Sequence, residues 1–270
     1  MNRRTPRLLI FDSGVGGLSI MADVQQLLPG CAITYASDNA AFPYGTKGEE
    51  ELVQRVDAVL QALIQTVEPD VVVVACNSAS TLALPHIRAH FKVPIVGVVP
   101  AIKPAAAQSR SKVIGLLATP GTVARAYTRD LIAQFASNCT VISLGSSELV
   151  QKAESHLRGK TVTTESLREL LSPMFAHPRF AEMDSLVLAC THFPLLRPQF
   201  QALLGPRITL VDSGEAIARR VSYWLEGLGL SPDATSAEHS AIFTRHSPDV
   251  EGLKPALRVL GITRVECQTI

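Results

Sequence analysis

Eight short apolar runs, with helical patterns between several of them, constrain this chain more than any other feature. They cover residues 8–11, 32–35, 71–75, 95–99, 113–117, 141–144, 186–189 and 208–211, and are rich in Val, Ile and Leu. Runs of that length without alternation read as strands buried on both faces. The clearest helical pattern spans 47–67, where Leu52, Val56, Val59, Leu60, Leu63 and Val67 fall on one face at the helical period. Strands alternating with helices predict an α/β fold with right-handed βαβ units and mainly parallel sheets, and ligands at the carboxyl ends of the strands.

The chain also repeats itself. Val-Val-Val-Val-Ala-Cys76-Asn77-Ser78 and Leu-Val-Leu-Ala-Cys190-Thr191-His192 are each an apolar strand ending in alanine, then cysteine, then a polar pair. A weaker echo links the strand before Asp12-Ser13-Gly14 to the strand before Thr119-Pro120-Gly121-Thr122. Two similar α/β lobes with an active site in the cleft between them are the expectation. Pro100 interrupts a strand and marks a boundary near 99. The piece from Ile208 onward carries its own strand and a helix running to about Leu228, and by pattern alone could return to either lobe.

Length and charge narrow the functional classes. At 270 residues the chain suits one large domain or two moderate ones. Lys and Arg total 25 against 24 Asp and Glu, without long runs of one sign, so neither a broad nucleic-acid footprint nor an anionic-membrane footprint is expected. The apolar opening run is broken by Asp12 before it reaches signal-peptide length, and no stretch has the length of a membrane span; the expectation is a cytoplasmic protein. The short stretch before the first strand leaves little room for an N-terminal regulatory extension.

Five widely spread cysteines do not form a complete disulfide framework, so each is weighed singly. Cys31, Cys139 and Cys267 read as packing residues. Cys76 and Cys190 each sit where a buried strand gives way to polar residues and an expected helix start, where free backbone N–H groups and the helix dipole favour a thiolate. Several thiol chemistries fit poorly. A hydrolase would pair Cys190 with His192, but successive residues of an extended strand end diverge, and Cys76 would be idle. A phosphatase loop needs arginine at the sixth position, where Leu82 and Leu196 stand. The spacings of Cys76, Cys190 and His192 are not those of zinc ligands, and no CxxC pair exists for disulfide exchange. Inverting a carbon that bears a proton needs a base on one face and an acid on the other, which two equivalent thiols from two lobes would supply.

The loop Asp12-Ser13-Gly14-Val15-Gly16-Gly17 offers a carboxylate, a hydroxyl and glycines that let backbone approach a ligand. Ser19 occupies the third glycine position of a dinucleotide fingerprint, and no Gly-Lys-Ser/Thr exists for a phosphate loop. Segment 37–45 reads either as a solvated loop or as a ligand wall. His86, His90, His156, His177, His239 and His246 read as surface or packing residues.

With six motifs in order, the sequence resembles the glutamate racemases, cofactor-independent amino-acid racemases of bacterial cell-wall synthesis. The motifs are Phe11-Asp12-Ser13-Gly14-Val15-Gly16-Gly17-Leu18, Ala41-Phe42-Pro43-Tyr44-Gly45, Ala75-Cys76-Asn77-Ser78-Ala79-Ser80, Ala118-Thr119-Pro120-Gly121-Thr122-Val123, Ala189-Cys190-Thr191-His192-Phe193-Pro194-Leu195-Leu196 and Val211-Asp212-Ser213-Gly214. The resemblance implies that Cys76 takes the α-proton from D-glutamate and Cys190 from L-glutamate. It assigns Asp12, Ser13, Tyr44, Gly45, Asn77, Ser78, Thr191 and His192 to the substrate. Thr122 and Glu154 are secondary candidates; because 144–154 departs from the family's proline-containing pattern, Glu154 stays outside the expected site. Ser78 stands where the family usually has threonine. The resemblance further implies a first lobe of 1–98 plus 208–270, a second of 99–207, and neither metal nor cofactor. None of the seven lysines sits at a strand end among these motifs to hold a pyridoxal Schiff base. The expected partner is glutamate, with a homodimer left open. A racemase of aspartate, hydantoin or another carbon acid, a cysteine hydrolase and a non-catalytic binding protein are the competing readings.

Overall fold

A computed structural model describes residues 4–232 and 237–270. Its ten strands are β1 (Arg7–Asp12), β2 (Ala32–Ser37), β3 (Val71–Val74), β4 (Ile95–Gly97), β5 (Val113–Ala118), β6 (Thr140–Gly145), β7 (Ser185–Leu188), β8 (Thr209–Val211), β9 (His239–Phe243) and β10 (Ile262–Cys267). The helices are α1 (Leu18–Leu27), α2 (Glu49–Val67), α3 (Asn77–His90), α4 (Ile102–Gln108), α5 (Pro120–Ala124), α6 (Ala126–Phe135), α7 (Ser147–Leu157), α8 (Thr164–Leu170), α9 (Ser172–Phe175), α10 (Arg197–Leu204), α11 (Gly214–Gly227) and α12 (Pro248–Val259). The chain divides into two compact units, Met1–Val98 with Gly214–Ile270, and Val99–Ser213.

In the first unit the strand order is β10-β9-β2-β1-β3-β4, with every pair parallel. All four residues of β3 are buried, as a strand covered on both faces requires. Helix α2 supplies one cover. Leu52, Val56, Val59, Leu60 and Leu63 are buried on one stripe that packs with Leu9, Phe11, Val72 and Val74 of the sheet. Burying each such side chain contributes on the order of 1.5–3 kcal/mol before entropy is counted. The exposed first turn of α2 carries Glu49, Glu50 and Glu51 against the positive end of its dipole.

In the second unit the order is β6-β5-β7-β8, again all parallel. Its core joins Ile102, Ala105 and Ala106 of α4 to Ile114, Leu116 and Val187 of the sheet. Asp184 closes the entry to β7: its carboxylate accepts from Ser109 Oγ at 2.7 Å and from the backbone N–H groups of Arg110 and Ser111 at 2.8 and 2.9 Å.

The two orders contain the same module. The order β2-β1-β3-β4 in one unit matches β6-β5-β7-β8 in the other, so the loop after β1 corresponds to that after β5, and the residues following β3 to those following β7. The sequence echoes are thus repeated positions of one topology, at the carboxyl ends beside the point where strand order reverses.

The expected boundary at Ile208 is corrected. Strand β8 pairs in register with β7, Leu186 opposite Leu210, so 208–213 stays in the second unit and the return to the first begins at Gly214. Helix α11 then packs on α1, and β9 and β10 extend the first sheet beyond β2. These last two strands have no counterpart among the eight apolar runs.

Candidate active site

In the first unit, Asp12 ends β1 and is fully buried. Its Oδ1 accepts from the Ser13 backbone N–H at 2.7 Å and its Oδ2 from that of Gly17 at 2.7 Å, which folds the loop back over the strand end. A side chain at position 17 would put its Cβ 3.0 Å from those of Ala75 and Asp12, so the close approach of loop to strand depends on glycine there. Tyr35 steadies the same loop by donating its hydroxyl to the Gly14 carbonyl at 2.6 Å.

Cys76 follows β3 and is the N-cap residue of α3, with extended backbone, φ −132° and ψ 114°. Its carbonyl accepts the first helical bond from Ser80 at 2.8 Å. The thiol is buried, with Sγ 3.8 Å from Ser13 Oγ. Asn77 and Ser78 open the helix and are buried too; among the described residues the Asn77 Oδ1 has no hydrogen-bond partner, an acceptor left unsatisfied where an unmatched polar atom is costly. Tyr44 and Gly45 lie in a 3-10 turn, Tyr44–Thr46, with the tyrosine ring buried. The Tyr44 hydroxyl donates to Asp38 Oδ2 at 2.6 Å. Asp38, at the carboxyl end of β2, also receives Arg55 Nε at 2.8 Å and Thr244 Oγ1 at 2.7 Å. Burial would raise the Asp38 pKa, but Arg55, Tyr44 and Thr244 outweigh it and hold the carboxyl below its usual value, while burial and the Asp38 charge push the Tyr44 hydroxyl strongly up. Asp38 and Arg55 are supports that the sequence reading did not single out.

In the second unit, Cys190, Thr191 and His192 are all buried. Cys190 corresponds to Cys76 in topology but not in local structure. It lies in a bend, His192 precedes the 3-10 turn Phe193–Leu196, and α10 begins only at Arg197. The expected helix start at this cysteine is therefore corrected, because Phe193-Pro194 sets a 3-10 turn in its place. The same turning brings Cys190 Sγ within 3.7 Å of His192 Nδ1, although continued extended backbone would have separated them. His192 Nε2 lies 2.9 Å from Glu154 Oε1, and Arg158 donates to Glu154 Oε2 at 3.0 Å. Burial opposes a charge on the imidazole, but the hydrogen bonds and negative charge of Cys190 and Glu154 raise its pKa well above 6.5. Glu154, set aside on sequence pattern, belongs to this cluster.

Thr119 and Thr122 close the loop after β5. Thr119 caps α5 by accepting from the Thr122 backbone N–H at 3.2 Å, with Pro120 at the start of the helix, and its hydroxyl donates to Thr122 Oγ1 at 3.0 Å. The polar groups around each thiol are hydroxyls, amides, carboxylates and one imidazole. They suit proton transfer and the binding of a small polar ligand.

Comparison with known proteins adds chain-wide likeness. The family model described as Asp/Glu/Hydantoin racemase matches residues 18–221. A glutamate racemase of Shewanella loihica is 51% identical over 255 residues, covering 94% of this chain and 92% of the relative. One of Klebsiella pneumoniae is 47% identical over 263 residues, covering 97% and 91%. The crystal structure of Escherichia coli glutamate racemase in complex with L-glutamate and the activator UDP-MurNAc-Ala superposes with a TM-score of 0.91 at 44% identity, covering 98% of this chain and 99% of that one.

Proposed function

Since the chain belongs to the Asp/Glu/hydantoin racemase family, and relatives matched along nearly its whole length are glutamate racemases, we propose that it racemises glutamate through two thiols. It is an isomerase that interconverts L- and D-glutamate, with the small-molecule amino acid as partner and D-glutamate for peptidoglycan as product.

The observation that carries the two-thiol reading is topological equivalence: Cys76 follows β3 and Cys190 follows β7, the same strand of one repeated module. In the D-to-L direction the Cys76 thiolate removes the α-proton, and the Cys190 thiol delivers its own proton to the opposite face of the carbanion. Cys76 ends protonated and Cys190 ends as thiolate; the L-to-D direction reverses both transfers. Asp12, Ser13, Tyr44, Gly45, Asn77, Ser78, Thr191 and His192 hold the amino acid. The unmatched Asn77 Oδ1 supports a donor such as the substrate ammonium at that point. Placing the carboxylates among preorganised donors and excluding water lower the cost of the carbanion.

No helix among the described residues is long and apolar enough to cross a membrane, which fits our assignment to the cytoplasm. Self-association as a homodimer is part of the same proposal and is read by sedimentation equilibrium.

The test is incubation with each enantiomer in heavy water, following optical rotation and α-deuteration. Racemisation with deuterium entering the product enantiomer is expected from both sides. No deuterium from either would sink the reading. Cys76→Ala and Cys190→Ala should each abolish racemisation, and a fully active single variant would remove that thiol from the mechanism. Aspartate, run in parallel, should exchange far more slowly.

A further inference from the structure

Outside the thiol clusters, α2 and α3 bring three metal-ligating side chains together on the surface of the first unit. His86 and His90 are four residues apart on α3 and so lie one turn apart on the same face. Both rings turn a nitrogen to one oxygen of Asp57 on α2: His86 Nε2 is 3.2 Å and His90 Nδ1 2.6 Å from Asp57 Oδ1. All three ligand atoms lie within 4.8 Å of one another. His90 stacks on Phe91 with ring centroids 4.5 Å apart, which sets the plane of its imidazole.

The charge balance of the cluster is what asks for a ligand. Asp57 is only 19% exposed, and among the described residues its recorded partners are these two rings, with no lysine or arginine opposite it. The rings are 53% and 46% exposed, which leaves room for water to fill the remaining positions of an ion held by the three side chains. Two imidazoles and one carboxylate suit zinc, nickel, cobalt or copper; magnesium and calcium prefer all-oxygen sets. Small side-chain rotations would bring the three atoms to the roughly 2.0–2.2 Å bonds such ions require.

We propose that Asp57, His86 and His90 form a binding site for a divalent transition-metal ion, which ties α2 to α3. The two helices also serve the thiol cluster, since α3 begins at Asn77 and α2 carries Arg55, the partner of Asp38. The ion would brace the scaffold of that cluster without touching it.

Titration calorimetry of the metal-free full-length protein with NiCl2 at pH 7.5 should give one saturable site per chain. His86→Ala, His90→Ala and Asp57→Asn should each weaken it by at least about tenfold, the loss of one ligand. Near a hundredfold excess over Kd, nickel should raise the wild-type Tm by on the order of 5 °C and leave His86→Ala unmoved. Loading with Co2+ reads the ligand type: d–d bands without thiolate charge transfer are expected. Unchanged nickel affinity in the histidine variants, a thiolate charge-transfer band, or no saturable binding up to about 1 mM would each overturn the assignment.

Discussion

Glu154 Oε1 lies 2.9 Å from His192 Nε2, and the opposite nitrogen of that ring lies 3.7 Å from Cys190 Sγ. A buried imidazole is thereby held between a carboxylate and a thiol, with its pKa raised well above the usual value by both neighbours against the opposing effect of burial. A pKa higher in the folded than in the unfolded chain adds stability that is complete below the unfolded value, about 6.5, and is lost as pH rises through the folded value. Glu154→Gln should shrink that increment and lower the His192 pKa. The urea midpoint of wild type should fall as pH is raised through the His192 transition, while that of the variant should change less; at low pH the two should differ by about 1–3 kcal/mol. Parallel midpoints across the whole range would show that Glu154 does not hold the imidazolium.

The Tyr44 hydroxyl is committed to Asp38 at 2.6 Å. On the proposed reading, the turn Tyr44–Thr46 would then meet the substrate through its backbone, and Tyr44→Phe should act on stability more than on substrate binding. A loss of about 1–3 kcal/mol by urea denaturation is expected, with KM for glutamate within about threefold of wild type. Because the Asp38 pKa is lowered in the fold, its contribution is present above the unfolded value of about 3.9 and lost as pH falls through the folded one. Tyr44→Phe should therefore shift acid unfolding to higher pH. A large KM increase with unchanged stability would assign the hydroxyl to the substrate.

How far sequence reaches is visible in particular residues. Val71–Val74 was legible as a strand because parallel strands covered on both faces are continuously apolar. Strand β10 was not, because of its six residues only Ile262 is buried, and an edge strand leaves little apolar pattern. For 208–213 the strand itself was legible and its neighbour was not, since register with β7 is decided by tertiary pairing. The cysteine positions stood out through local repetition, yet the same words produced a helix cap at Cys76 and a bend at Cys190. Glu154 reaches His192 across 38 residues of chain, a contact carried by no local signal.

Gly17 is the point of closest approach in the loop after β1. A methyl group there would stand 3.0 Å from Ala75 Cβ and Asp12 Cβ and 3.2 Å from Tyr35 Cε2, atoms fixed by the central strands. Gly17→Ala should cost about 1–3 kcal/mol through overpacking and reduce racemisation by displacing Asp12 and Ser13. Gly227→Ala, at the end of α11 with no atom within 4 Å of the added carbon, should be neutral or stabilising by up to about 1 kcal/mol. Equal effects at the two positions in urea melts would rule out crowding as the reason for Gly17.

The cysteines not assigned to catalysis differ in environment, and alkylation can read the difference. Cys31 is fully buried, and burial, with a further contribution from the Asp70 charge, pushes its thiol up to about 12. At pH 8 only about one molecule in ten thousand would carry a Cys31 thiolate, and reagent would still have to reach it. Cys267 is exposed at the end of edge strand β10, where reagent reaches it directly. Iodoacetamide at pH 8 followed by peptide mass spectrometry should modify Cys267 within minutes and leave Cys31 unmodified until the chain is unfolded in urea. Labelling of Cys31 at a comparable rate in the native protein would mean that the segment between α1 and β2 opens far more readily than its burial implies.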